Sequence, residues 1–564
     1  MLVRLVLVAL LTGLPLTARG ALSYRTVALS GTQAPGTPAG AMWNSFSSPM
    51  MSAAGGTAFF ASLQPTGGGV TSTNNAGIWS EASGALALVA RVGGGPTPSN
   101  GQTVFDSLRN LVANASGRIA LVAPLRHTGS INDANDSGLF LQGSAGVSPV
   151  AREGGQAPAL LAGTQFDDLS FATPVINASG RVAFAATLKS NLGDVDSSND
   201  QSLWSDRTGA LALVLREGYQ APGTPAGAFF RHFGAPVLNA SDRMAFVATL
   251  QTVGGGVTEA NAQGIWTEGS GALSLLARRG NAAPGATSLN LFRDFGQPAM
   301  NAAGRVVFPA SVRFTSGGIS NGLDSGIWSD RTGSLALVAR AASQAPGTPV
   351  GAIFGTFFGP GANVRPVINA SGRTAFSASL RMSGGGVTET NNSGIWSDGS
   401  GTLALVAREG SQAPGTPAGS RFGDFAGWAP VINSSGRIAF FASLQPNDAS
   451  VNAGNDAGIW AENQQGVLTL VAREGDLFQV APGDLRTLAS LSFGEMFRRD
   501  ERRTITFTDD FKLAFAATFT DGSSGVFTAT LAVPEPAAIQ ILLAAFLAAV
   551  IGGRRNGRVL RTRR

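Results

Sequence analysis

The feature that most constrains this chain is an eight-residue phrase, NASGRVAF at Asn177 to Phe184, which returns along nearly its whole length. It recurs as NASGRIAL from Asn114, NASDRMAF from Asn239, NAAGRVVF from Asn301, NASGRTAF from Asn369 and NSSGRIAF from Asn433. SAAGGTAF from Ser52 and TDDFKLAF from Thr508 are weaker copies at either end. Successive starts lie 62, 63, 62, 62, 68, 64 and 75 residues apart, so the body is eight units of just over 60 residues. A period of that size means a repeat architecture whose units bury their apolar faces against one another.

Each unit reads as four short strands. In the third these are Thr173 to Ile176, Arg181 to Leu188, Ser202 to Ser205 and Ala210 to Arg216, separated by Gly, Asn, Ser and Asp. Along the second strand Val182, Phe184, Ala186 and Leu188 alternate with the smaller Ala183, Ala185 and Thr187, a pattern suited to sheets stacked face to face. Asn177 to Gly180 reads as a tight turn in which the Asn side chain bonds local backbone and Gly takes the left-handed position. On that reading Asn114, Asn177, Asn239, Asn301, Asn369 and Asn433 are structural residues. Four strands in each of eight units predict an all-β fold, an eight-bladed β-propeller.

The ends of the repeat region complement each other. Ser23 to Gly40 matches Leu405 to Gly419, the fourth strand of a unit and the loop after it, while the eighth unit stops after a third strand at Gly525 to Leu531. The N-terminal segment is therefore expected to supply the missing strand, closing the ring and removing exposed sheet edges. With antiparallel strands, the short turns after strands one and three share one face. The long loops after strands two and four, QAPGTPAG and GGGVTETNNSG among them, share the other, and a ligand is expected there.

Several residue groups could carry chemistry. Asp133 and Asp136, Asp194, Asp196 and Asp200, and Asp456 sit among asparagines in the long loops, an oxygen-rich setting that suits calcium, although no complete calcium-loop motif is present. Trp79, Trp204, Trp266, Trp328, Trp396 and Trp460 fall at one place in each third strand and are expected to fill space between blades rather than stack on sugars. Arg152, Arg216, Arg408 and Arg473, each followed by Glu, read as strand-end ion pairs. The two histidines, His127 and His232, stand in different units without a partner motif, and there is no cysteine. No catalytic residue is assigned, and no cofactor beyond the calcium reading.

The two termini differ from the body. Arg4, an apolar run to Leu16 and the small residues Ala18 and Gly20 form a secretory signal peptide over residues 1–20. Residues 21–532 are the repeat body. Residues 533–564 carry Val533, Pro534, Glu535 and Pro536, an apolar run over 537–553 long enough for one transmembrane helix, and a basic end with Arg554, Arg555 and Arg558 that keeps that side cytoplasmic. Taking the two arginines of the leader and the six of the tail from 40 basic residues, and Glu535 from 35 acidic ones, leaves 32 against 34. The body is thus close to neutral, which excludes nucleic acid as a partner on grounds of charge. An exported body without disulfides has to be held by its core, and 44% apolar residues can build one.

The Val-Pro-Glu-Pro, short helix and arginine tail resemble the PEP-CTERM sorting signal of bacteria that make extracellular polysaccharide. The resemblance implies the export machinery and an exosortase-type membrane peptidase as partners. It also implies transient anchoring in the inner membrane, and a destination at the cell surface or in the matrix. The tandem phrase is similar to that of exported bacterial proteins with NxxGxxAF repeats and interchangeable anchors, although the first and last copies lack the leading Asn. The expected function is a surface or matrix binding and scaffolding protein associated with polysaccharide. A carbohydrate-active hydrolase or lyase, and a purely structural self-associating matrix protein, stand as alternatives.

Overall fold

The computed structural model describes residues 22–96, 103–144, 146–285, 290–314, 324–359, 362–425, 429–446, 451–494 and 506–531. The signal peptide, the sorting residues Val533 to Pro536, the apolar run and Arg554, Arg555 and Arg558 lie outside them. Among the described residues no helix is long and apolar enough to cross a membrane.

The units become eight antiparallel sheets of four or five strands, each a blade of an eight-bladed propeller, and Phe358–Gly359 pairs with Ala362–Asn363 in a separate two-stranded hairpin. Blade 3 shows the plan: Val175–Ile176, Val182–Thr187, Gln201–Ser205 and Ala212–Arg216 pair in sequence order, within two residues of the strands read from the sequence. The short inner pairs Met50–Met51, Val175–Ile176, Val237–Leu238, Ala299–Met300, Val367–Ile368 and Val431–Ile432 end at the Asn-type turns. The first five each touch the inner strand of the next blade, which places this layer around the ring axis.

Closure follows the expected route. Leu22–Leu29 pairs antiparallel with Ser524–Leu531, from Leu22 opposite Leu531 to Leu29 opposite Gly525, and so forms the outer strand of blade 8. Blade 8 is also the least regular. Its inner strand Asp484–Ser492 is preceded by Leu477–Ala481, a hairpin where other units carry a QAPGTPAG-type loop.

The core lies between blades rather than within one. Ala245, Val247, Ile265 and Ala277 of blade 4 pack with Phe292, Phe308 and Trp328 of blade 5, and equivalent clusters bridge the other interfaces. The third-strand tryptophans are all fully buried and each meets an aromatic ring edge-on, Trp43 for Trp79 and a phenylalanine for the other five, as Trp266 meets Phe230 at 5.0 Å, so they are core residues. The Gly-x-Trp spacing has a steric reason. A Cβ on Gly264 would lie 2.9 Å from the Trp266 ring and 2.8 Å from the Ala277 carbonyl oxygen.

Candidate functional site

The two faces of the ring use their polar groups differently. On the tight-turn face each asparagine closes its own turn: Asn177 Oδ1 accepts from the backbone amides of Ser179 and Arg181, and Gly180 sits at φ +81°. The Nδ2 of the same side chain crosses to the next blade. Asn114 donates to the Asn177 carbonyl at 2.8 Å, Asn177 to Asn239 at 2.8 Å, Asn239 to Asn301 at 3.3 Å, Asn301 to Asn369 at 3.0 Å, Asn369 to Asn433 at 2.9 Å and Asn433 to Thr508 at 3.2 Å. The local half of this pattern was legible in the sequence. The inter-blade half was not, because it depends on where the neighbouring turn lies.

A second ring on this face consists of acids in the turn after strand three. Asp206, Glu268, Asp330, Asp398 and Glu462 accept from the first amide of strand two in their own blades. Burial raises Asp206, Asp330 and Glu462 above the usual carboxyl range, with the backbone amides pulling the other way. Arginines from the preceding blade answer some of these acids: Arg207 meets Glu268 at 2.8 and 2.9 Å, and Arg331 meets Asp398. Arg25 meets Glu81 at 2.6 Å across the ring closure. Burial works to raise Glu81 too, but Arg25 and Thr57 overcome it and hold it below the ordinary value. The asparagines and arginines here hold blade to blade, while the acids tie strand three to strand two of their own blades.

On the long-loop face the polar groups close each loop on itself. Gln220 Nε2 donates to the Ala221 and Pro225 carbonyls while its Oε1 accepts from Gly227 N at 2.8 Å; Gln33, Gln156, Gln344 and Gln412 brace the equivalent loops in the same way. The loop then docks on its own blade through the tryptophan indole, as Trp266 Nε1 to Pro222 O at 3.0 Å. In blades 1–4, 6 and 7 the loop between strands two and three is tied by one Asn. Asn391 Oδ1 accepts from Thr388 N, and Arg408 Nε and Nη2 donate to the Asn391 carbonyl and side chain. Arg152 and Arg473 donate to Asn135 and Asn455 in the same fashion, so this set anchors loops; Arg216 does so and also pairs with Asp194 at 3.0 Å.

The residues expected to hold calcium fall in three separate blades. Asp194 is engaged by Arg216, and Asp196 accepts from Ser198 N and Oγ within its own turn. Asp456 lies beside the buried Glu474, which burial and that neighbour raise. Asp133 and Asp136 meet His127, whose Nε2 lies 3.4 Å from Asp133 Oδ1 and 2.8 Å from Asp136 Oδ2. The histidine that lacked a partner motif in the sequence thus has two carboxylate partners, and the Asp136 hydrogen bond raises its proton affinity.

Asp200 stands beside Glu217 at the junction of blades 3 and 4. Glu217 is 3% exposed, and its Oε2 has no hydrogen-bond partner among the described residues. Burial and the Asp200 charge push it up to about 7. The equivalent glutamates are better served: Glu153 accepts from Ser137 Oγ and Lys189 Nζ, and Glu409 from Ser393 Oγ and two backbone amides. Blade 3 has Gln201 where those blades have Ser137 and Ser393, and blade 4 has Gln251 where blade 3 has Lys189. Alignment of the units signals the difference, but only once the fold brings the two strands together.

The long-loop face also carries exposed apolar side chains: Leu161, Leu192, Tyr219, Val253, Val350 and Met382, with Val350 at 95% exposure. They sit on loops that are already closed by internal hydrogen bonds, so their exposure is a fixed surface property.

The profile of a family of unknown function, DUF7453, matches residues 12–146, 127–323 and 312–540. No curated protein is significantly similar in sequence. Among solved structures, the chain is similar to a puromycin hydrolase at 14% identity and TM-score 0.33, the match covering 88% of this chain and 61% of that one. It is similar to the Dos1 propeller at 9% identity and TM-score 0.34, covering 87% and 93% of the two chains. A Trypanosoma rangeli sialidase in complex with sialic acid aligns at 11% identity and TM-score 0.25, over 82% and 59%.

Proposed function

The chain belongs to the DUF7453 family of unknown function, and from that premise we propose that it is an exported surface or extracellular-matrix scaffold that binds polysaccharide through its long-loop face. The observation that carries this reading is the division of labour between faces. Polar side chains of the tight-turn face hold blade to blade, whereas the opposite face presents braced loops with exposed apolar tips at Leu161, Val253, Val350 and Met382. Rigid loops lose little entropy on binding, and apolar tips flanked by hydroxyls and amides suit the mixed surface of a sugar polymer. The signal peptide and the PEP-CTERM-like tail give the expected route: export, transient membrane anchoring and processing by an exosortase-type peptidase.

The test is binding of the purified protein to native exopolysaccharide and to a glycan array. Saturable binding that falls at least fivefold in Val350→Asp plus Met382→Ser is the expected result. Unchanged binding in that double variant, or none in the parent, would remove the reading.

A second reading, a carbohydrate-active hydrolase or lyase, has one observation in its favour. Glu217, pushed up to about 7, sits against Asp200, and a carboxyl that keeps its proton near neutral pH is what a general-acid role requires. Turnover of exopolysaccharide that disappears in Glu217→Gln would establish it.

A further inference from the structure

We propose that His127, Asp133 and Asp136 form a binding site for a divalent transition-metal ion of the zinc or manganese class, on the loop between strands two and three of blade 2. The three donor atoms lie within 4.8 Å of one another, with the imidazole 2.8 and 3.4 Å from the carboxylates. Ligands held about 2.1 Å from one ion stand roughly 3.0 to 3.4 Å apart in octahedral or tetrahedral arrangements. The two imidazole–carboxylate separations are already near that spacing, and the two carboxylates lie within 4.8 Å of each other.

Blade 2 is built differently from its neighbours at this spot. Leu125 and Asp136 are 11 residues apart, whereas Leu63 to Asn75, Leu188 to Asp200, Leu250 to Ala262, Leu380 to Asn392 and Leu444 to Asp456 each span 12. The loop of blade 2 is thus one residue shorter, and it carries His127 where the others have Pro65, Ser190, Thr252, Met382 and Pro446. Shortening draws the residue after Arg126 onto the loop's far end, so that Nε2 reaches Asp136.

The carboxylates are also not needed by the loop itself. Its turn is closed by Asn132 and Asn135: Asn135 Oδ1 accepts from Asn132 N, Asn132 Oδ1 from Ala134 N, and Asn135 Nδ2 donates to Ser130 O. Arg152 fixes the same turn from strand four. In blade 3 the corresponding turn uses Asp196 to accept from Ser198 N and Oγ, which leaves that carboxylate committed. An imidazole beside two carboxylates favours zinc, manganese or cobalt over calcium, which takes six to eight oxygens, so the calcium expected here from Asp133 and Asp136 gives way to a different class of ion. Three protein ligands at an exposed position leave the remaining coordination to water.

The experiment is titration of the full, untagged chain with Co²⁺ followed by its visible absorption, and with Zn²⁺ by calorimetry. One ion per chain at micromolar affinity is expected, with a loss of at least tenfold in both His127→Ala and Asp136→Asn and no change in Asp196→Asn. Absence of saturable one-to-one binding would overturn the site, as would binding that survives His127→Ala, or displacement of Co²⁺ by equimolar Ca²⁺. The variants lie on an exposed loop, and unaltered thermal unfolding of each confirms that a lost ion reports the ligand.

Discussion

The two faces of this ring are made by the same repeat and have diverged in what they do with it. On the tight-turn face, one asparagine in each of six units closes its turn and reaches the next unit, so six such bonds link seven successive blades. On the long-loop face, one glutamine in each of five loops among the described residues closes that loop alone. Cooperative assembly is therefore concentrated on one side. The other side can change a residue, or lose one as blade 2 has, without disturbing neighbours. Departures from the repeat collect there: His127, Gln201 and Gln251 beside Glu217, Val350 and Met382.

The strongest way to break the comparison is to open the ring. Removing residues 22–29 takes the outer strand from blade 8 together with the Arg25–Glu81 contact, and should abolish the single cooperative thermal transition, as read by calorimetry. A stable, cooperatively folding variant would mean that closure is not what unites the blades.

Next in size is the pH dependence at Glu217. Its folded-state proton affinity is raised to about 7 from an ordinary value of 4.5. The stability it contributes is complete below pH 4.5, and it is lost as pH rises from there through about 7. Glu217→Gln should therefore be more stable than the parent at pH 8, by something on the order of 2 kcal/mol, with the difference shrinking toward pH 4.5. Urea unfolding at the two pH values measures it, and an equal effect at both would show that Glu217 is not held protonated by burial.

The smallest effect sharpens the contrast between faces. Asn239→Ala removes the turn closure and the bond to Asn301, and should cost about 1–3 kcal/mol of global stability. Gln412→Ala, which frees only its loop, should cost less and raise amide exchange locally over residues 413–419. Equal global losses in the two variants would erase the distinction.

Much of this was legible in the sequence. The NASGRVAF phrase carries its turn, its strand and its period in eight residues, and the matching ends of the repeat region gave the closing strand. The tryptophans read as core because one large side chain at one strand position in successive units has to be accommodated between sheets. What escaped is what depends on a neighbour's position. Asn177 Nδ2 finds its acceptor 62 residues away, and His127 finds Asp136 only because the loop between them is short. The hairpin of blade 8 escaped for another reason: Leu477–Ala481 lacks the APGTP signature that marks the loop in other units.

The central claim is that the long-loop face binds and the tight-turn face holds. Hydrogen exchange of the protein with and without exopolysaccharide tests it most directly. Protection over residues 344–352 and 380–392, with none at the turns 177–180 and 301–304, is the predicted result; protection at those turns, or over neither face, would contradict it.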